Sequence, residues 1–514
     1  MGLSSPHRGK MGVPPPQRGQ PPVALVLILC IGLVCTAGAY NRWLRTEGEN
    51  SAGTGASGSA ASKPGRGIGS SGPKPTPTLH RVAPSSPSGE NSPTASSSSS
   101  LKPADPAEKK TYTMRTSSAD GERTRDIRST FASAGETKLW DKLLASTCTV
   151  DWARVVNQQL AQWLDTGVSF QQVQEHCVKR TVRLSFVQNE MRLAIFNLDN
   201  GNVHRLRCGF WLIYMAVLRA EARGDPMPDF DINMQSGDSA FSNAPPRKQW
   251  QNAGPVLGNV KCNDASVSFP LTLSDQFGWG APNYGAMSLS RYNERYTEAT
   301  AWGGGKTFGE KVPKAYFSAS GGAVKRGNRA KLFKQESPHL HPDVTAHTMD
   351  YMAGFQYNVY AYGNCGWSRR IHELAMMETV VLMEFSPCRE YMHGLFEEGV
   401  DHIPVEDDFS DVIPALEKGL ASPKEAEAMA ARWVQQGRAM LSLECTLDYV
   451  EKLLREYARL QSFKPEYHPD WPQYFPNTTA EFFKQPAAQH PHSGCAKPTY
   501  NGTWQRSAQR SHSC

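Results

Sequence analysis

The residues best suited to chemistry lie between Tyr357 and Asp411. A β-branched and aromatic run, Tyr357-Asn358-Val359-Tyr360-Ala361-Tyr362, meets Gly363-Asn364-Cys365-Gly366-Trp367-Ser368-Arg369-Arg370 and then the apolar stretch Ile371 to Met377. The pattern predicts strand, glycine-broken turn and helix. Such a turn gathers backbone N–H groups at the positive end of a helix, and arginines there add forked, permanently charged donors. That chemistry suits a phosphate-bearing ligand; a surface helix with incidental arginines is the alternative. A second apolar run (Thr379 to Phe385) leads to Asp401-His402-Ile403-Pro404-Val405 and the acidic turn Asp408-Phe409-Ser410-Asp411.

Three other patterns imitate sites. Asp229-Phe230-Asp231 is a DxD of the metal–nucleotide kind, but short acidic patterns recur by chance and this one straddles a strand start. Gly303-Gly304-Gly305-Lys306-Thr307 resembles a phosphate loop, yet the required first glycine position is Thr300. His339, His341 and His347 lie beside Pro338 and Pro342, which break any helix that would align them on zinc, so a turn is expected.

The order of motifs resembles glycosyltransferase family 90, which includes protein O-glucosyltransferases, capsule-associated xylosyltransferases and KDEL-motif relatives. The resemblance rests on Gly366-Trp367-Ser368 with Arg370, the following helix and strand, His402 with Pro404-Val405, and the Ser410-Asp411 turn. Asp231 to Asp238, Ala315 to Ser320, Arg329 to Leu332 and the closing helix through Tyr457 match as well. It covers roughly residues 230–460 and is strongest after Tyr357. It implies a GT-B arrangement, two Rossmann-like α/β halves facing a cleft. It also implies an inverting transfer of glucose or xylose from a UDP-sugar to a protein or glycan hydroxyl. By this resemblance Asp238 is the catalytic base, and Ser320, Arg329, Gly366, Ser368 and Arg370 bind the donor. The UDP-sugar is a co-substrate, and no cofactor or metal is expected. A non-catalytic glycan-binding or scaffolding member of the same fold is the competing class. The chain departs from the family at Phe317-Ser318-Ala319-Ser320, where Phe-Arg-Gly-Ser is common, at Cys365, and at Met383, often a lysine.

These residues need elements to position them, and the rest of the chain supplies candidates. Trp140, Leu143, Trp152, Val155, Val156, Leu160 and Trp163 repeat at helical spacing. Val182, Leu184 and Phe186 read as a strand turning at Gln188-Asn189-Glu190, and residues 206–218 as a buried helix. Phe230 to Met234 reads as a strand whose end delivers Asp238. Residues 241–309 are poorly periodic and predict long loops. From Lys314 onward, alternating strands and helices predict a parallel, doubly wound sheet. Ligands then belong beyond the strands' carboxyl ends, where Asp238 and the Gly363–Arg370 loop both fall. Ser422-Pro423-Lys424-Glu425 predicts a capping box.

The full layout is a tail (residues 1–22), an apolar signal-anchor (23–40), a stem (41–130), a catalytic region (131–465, with halves 131–312 and 313–465) and a C-terminal tail (466–514). The apolar run is close to the shortest that spans a bilayer, and a cleaved signal peptide is its competitor. Residues 47–110 contain no Phe, Trp or Tyr and have little to bury. This is the layout of a single-pass type II enzyme of the Golgi or endoplasmic reticulum, with its catalytic region lumenal. The sequons at Asn477 and Asn501 agree with that address. A net charge of +6 over 514 residues, without a basic stripe, argues against a nucleic-acid partner. Of the eleven cysteines, Cys30 and Cys35 lie in the apolar run. Some of the others are expected as disulfides, with connectivity open.

Overall fold

The computed structural model describes residues 113–118, 121–126, 131, 133–175, 181–195, 203–235, 254–262, 266–270, 288–319, 329–345, 347–363, 368, 370–386 and 388–475. The expected anchor, most of the stem, Asp238, Ser320, Gly366, Asn477 and Asn501 lie outside these. Among the described residues no helix is long and apolar enough to cross a membrane.

An antiparallel hairpin, β1 (Thr113–Ser118) and β2 (Gly121–Asp126), precedes helices α1 (Ala134–Ala145), α2 (Ala153–Leu160) and α3 (Phe170–Glu175). The Ser133 hydroxyl caps α1 by accepting from the Glu136 N–H. The predicted apolar stripe, Trp140 through Trp163, is buried.

The first sheet has five strands in the order β4-β3-β5-β6-β7. They are β3 (Thr181–Val187), β4 (Glu190–Ile195), β5 (Phe230–Gln235), β6 (Val256–Gly258) and β7 (Ser266–Ser268), with helix α4 (Val203–Ala222) between β4 and β5. Gln188 and Asn189 both adopt positive φ (54° and 63°), the twist that a two-residue hairpin turn requires. β3 pairs antiparallel with β4 and β5, whereas β5, β6 and β7 run parallel. This half is therefore a mixed sheet, and only its β5–β7 part has the parallel winding expected of a Rossmann-like unit.

Helix α5 (Leu289–Thr300) occupies a region expected to be loop. Leu289, Tyr292 and Ala299 form its buried face, and Ser288 caps it. The glycine triplet after it, Gly303 to Gly305, takes positive φ throughout and makes a turn.

The second sheet is wholly parallel, in the order β12-β11-β10-β8-β9. Its elements are β8 (Val312–Ser318), α6 (Arg329–Leu332), β9 (Leu340–Asp343), α7 (Met349–Ala353), β10 (Phe355–Tyr360), α8 (Arg370–Ala375), β11 (Val380–Glu384) and β12 (Ile403–Val405). Both faces are covered, as parallel sheets require. Alternate residues go to opposite cores: Ala315, Phe317, Tyr357, Val359, Val380 and Leu382 to one, Tyr316, Tyr360, Val381 and Met383 to the other.

The chain closes with α9 (Val412–Ala421), α10 (Pro423–Leu441) and α11 (Leu443–Leu460). Pro423 opens α10 as predicted, but the Ser422 side chain makes no capping bond; its backbone N–H closes α9 on the Gly419 carbonyl. Helix α11 returns to the first sheet. Tyr449 donates to the Ser268 carbonyl and Tyr457 to that of Asp231, each at 2.6 Å. A buried Arg219–Glu451 pair (3.1 Å) ties α11 to α4. Burial pushes the Glu451 carboxyl up and the Arg219 guanidinium down, and each partner opposes the other's shift.

Two disulfides lie among the described residues, Cys148–Cys445 and Cys262–Cys388. The second joins the sheets just beyond the carboxyl ends of β6 and β11. Beside it, Lys261 and Arg389 exchange two backbone hydrogen bonds of 2.9 and 3.0 Å.

Candidate functional site

Strand order in the second sheet reverses between β8 and β10. From β8 the chain moves outward to β9, crosses back to β10, and continues the other way through β11 and β12. Open α/β sheets take ligands at this point, beyond the carboxyl ends of the two strands. Here those ends are Ser318 and Tyr360.

Two arginines cross this crevice in opposite senses. Arg370 follows β10 in the chain, and its Nη1 donates to the Ser318 carbonyl at the end of β8 (2.5 Å). Its Nη2 reaches the Ser318 hydroxyl (3.3 Å), and its guanidinium lies 5.5 Å from the Phe317 ring centre. Arg329 follows β8, and its Nη2 donates to the Ala361 carbonyl just past β10 (3.1 Å). Ser318 stands where the resemblance led one to expect arginine, and it receives the Arg370 fork instead.

The electrostatics are those of two cations held close together. Burial lowers the Arg329 pKa, and the neighbouring Arg370 charge lowers it further, while the Glu384 carboxylate opposes both. Arginine remains protonated under such shifts. Glu384 is buried at the end of β11 and accepts from the Tyr362 N–H at 3.0 Å, which fixes the start of the glycine loop. Further along that loop, the Ser368 N–H donates to the Tyr360 hydroxyl (3.2 Å) and the Ser368 hydroxyl accepts from the Arg370 N–H (3.4 Å). Tyr360 is fully buried, and burial raises its pKa far out of the physiological range, so it serves as a neutral hydroxyl. Helix α8 has only six residues, so the guanidinium forks rather than a helix dipole dominate.

Of the sequence-predicted donor residues, Arg329, Ser368 and Arg370 thus come together. Ser320 follows β8 and Gly366 follows β10 in the chain, but both lie outside the described residues. So does Asp238, although β5, buried through Met234, ends three residues before it. Ser318, Tyr360 and Glu384 were not singled out from the sequence. Their positions as strand-terminal polar residues in apolar runs were the available signal.

The imitating patterns have structural roles. Asp231 is buried against Arg183, whose Nε donates to both carboxylate oxygens (2.8 and 3.0 Å). Arg183 itself lies between the Phe170 and Trp471 rings. Asp229 accepts from the Gln188 N–H at the hairpin turn (3.0 Å). A DxD metal site would need both carboxylates turned to one ion, and these are committed elsewhere. His341 stacks on Tyr316 and Phe355, and His347 meets Asp343 at 2.6 Å, so those histidines belong to an aromatic cluster along edge strand β9.

In this mixed α/β chain, the paired arginines stand at the switch point of the parallel sheet, where open α/β sheets take ligands. The family model described as glycosyl transferase family 90 matches residues 144–490, which take in both sheets and the returning helix, and the chain belongs to that family. No match is found among curated proteins.

Proposed function

We propose that this protein is an inverting transferase that moves glucose or xylose from a UDP-sugar to a hydroxyl of a protein or glycan. In this reading the two sheets are the facing halves of a GT-B arrangement. Residues 23–40 anchor the chain, residues 41–130 form the stem, and the catalytic region works in the lumen of the Golgi or endoplasmic reticulum. The observation that carries the reading is the crossed pair Arg329 and Arg370 at the β8/β10 switch point.

The chemistry follows from what this geometry can stabilise. The acceptor oxygen attacks the anomeric carbon from the face opposite the diphosphate and loses its proton to Asp238. The bond from that carbon to the phosphate oxygen breaks, and its electron pair leaves with UDP. Negative charge grows on the departing diphosphate, so fixed donors aimed there stabilise the transition state more than the ground state. Arg329 and Arg370 supply forked donors, Ser368 stands beside Arg370, and Ser320 and Gly366 join them by family resemblance. The arrangement supplies cationic stabilisation from the chain's own side chains, and the reading includes no metal.

Removing a charge-assisted contact costs roughly 1.5–3 kcal/mol per hydrogen bond. Arg370→Ala is therefore expected to weaken UDP binding, measured by titration calorimetry, and to lower kcat/KM by about tenfold to a hundredfold per bond lost. Arg370→Lys should recover little, because a point charge does not reproduce the fork that spans Ser318. Unchanged UDP affinity in Arg370→Ala would remove this arginine from the site and the reading with it.

A further inference from the structure

Helix α8, which Arg370 opens, is held at three points. At its start the Arg370 fork binds Ser318. At its end the Leu374 carbonyl accepts from Trp433 Nε1 (2.7 Å), and the Ala375 backbone packs into the space left by Gly437 on α10. In the middle, His372 Nε2 meets a carboxylate oxygen of Glu390, with both side chains almost wholly buried (5% and 2% exposed).

Glu390 reaches this helix from a segment tied to the other sheet. Two residues before it, Cys388 is bonded to Cys262 beyond β6. One residue before it, Arg389 exchanges backbone hydrogen bonds with Lys261. One residue after it, the Tyr391 ring packs against Trp152 and Tyr449. Farther on, Arg154 on α2 donates to the Gly394 carbonyl (2.7 Å). The same segment also touches the glycine loop. The Glu390 N–H donates to His393 Nδ1 (3.0 Å), and the His393 ring abuts Tyr360, whose hydroxyl holds Ser368.

We propose that Glu390 is a positioning residue: through His372 it sets the helix that carries Arg370, and its segment, stapled by Cys262–Cys388, fixes that helix relative to the sheet that leads to Asp238. The inference rests on the donor-site reading above. In that reading the donor's diphosphate and the base must be held in one geometry although they come from different sheets, and small misplacements of reacting groups are costly. A buried carboxylate in contact with an imidazole is a short-range electrostatic contact, so its loss is felt by the helix that bears the imidazole.

The test is a double-mutant cycle on the full chain, with UDP as the probe. Glu390→Gln keeps the side chain's volume and removes its charge; it should weaken UDP binding by about tenfold in the parent and have little effect in Arg370→Ala, because the two act through one helix. His372→Gln breaks the same contact from the other side and should behave alike, which covers the case in which one variant does not fold. An equal loss in both backgrounds, or none in the parent, overturns the proposal. If the parent itself binds no UDP, the donor reading has failed separately, and hydrogen exchange of the unliganded chain decides the positioning claim. Glu390→Gln should then speed exchange across residues 368–375 and leave β3 and β5 at parental protection. Unchanged exchange there overturns it.

Discussion

Arg329 and Arg370 each lean on the strand end that the other one follows, so neither guanidinium is placed by its own loop alone. Two cations in one partly buried crevice repel each other, and Glu384 offsets this only in part. An incoming diphosphate would relieve that repulsion, which makes affinity and arrangement two aspects of one feature. Behind the site, burial pushes the His393 pKa down to about 3, with the charges of His372, Arg389 and His402 acting in the same direction. Its Nδ1 accepts from the Glu390 N–H, which requires the neutral ring. The folded state therefore binds fewer protons than the unfolded chain between about pH 6.5 and pH 3. Stability from this group is complete above about pH 6.5 and is lost as the pH falls through that window, by up to ~1.4 kcal/mol per pH unit. His393→Asn keeps an acceptor for the Glu390 N–H and does not titrate. Its denaturant-unfolding free energy should fall less steeply from pH 6.5 to pH 4 than the parent's. An unaltered slope would mean that His393 is not held neutral by the fold.

At the scale of elements, the site depends on how α8 is packed rather than on how long it is. A methyl group added at Gly437 would sit 2.0 Å from the Ala375 carbonyl oxygen, and backbone cannot step aside as a flexible side chain can. Gly437→Ala should therefore cost about 1–3 kcal/mol of stability, read as a lowered Tm, and should weaken UDP binding as α8 shifts. A variant that melts like the parent would show that α10 does not seat this helix. Much at this scale was legible from the sequence. β10 and β11 are dense in aromatic and β-branched residues, α4 is apolar nearly all round, and the Gln188–Asn189 turn separates two alternating runs. Other features were hidden for physical reasons. The buried face of α5 is thin, and polar residues between Leu289, Tyr292 and Ala299 dilute the period. Ser422 looks like a cap in the sequence, but its backbone is neither helical nor extended (φ −123°, ψ 63°) and its side chain makes no capping bond, whereas Ser442 closes α10 with its N–H and caps α11 with its hydroxyl. The sequence already disfavours a metal role for Asp231, but its actual partner, Arg183, 48 positions earlier, is not legible there.

For the whole molecule, the sequence carried the parallel winding after Lys314 and the family's motif order, but neither the strand order nor the ties between sheets. Cys262 and Cys388 are 126 positions apart, Cys148 and Cys445 297, and no spacing rule selects either pair. Nor does periodicity announce that α11 leaves the second sheet to hydrogen-bond Ser268 and Asp231 of the first. These long-range contacts bring the carboxyl ends of β6 and β11 together, and β5, which leads to Asp238, lies beside β6. In the proposed function a base from one sheet and a diphosphate-binding arginine pair from the other act on a single donor. The direct measurement is turnover of UDP-glucose and UDP-xylose by the parent and by Asp238→Asn, with UDP affinity measured in parallel. The amide keeps the carboxylate's size but cannot accept the acceptor's proton, and a positioned general base contributes roughly 10²–10⁴-fold. Turnover by Asp238→Asn should fall by about that much with UDP binding unchanged. Asp238→Asn that transfers sugar at the parental rate, or a parent that turns over neither donor, would contradict the proposed function.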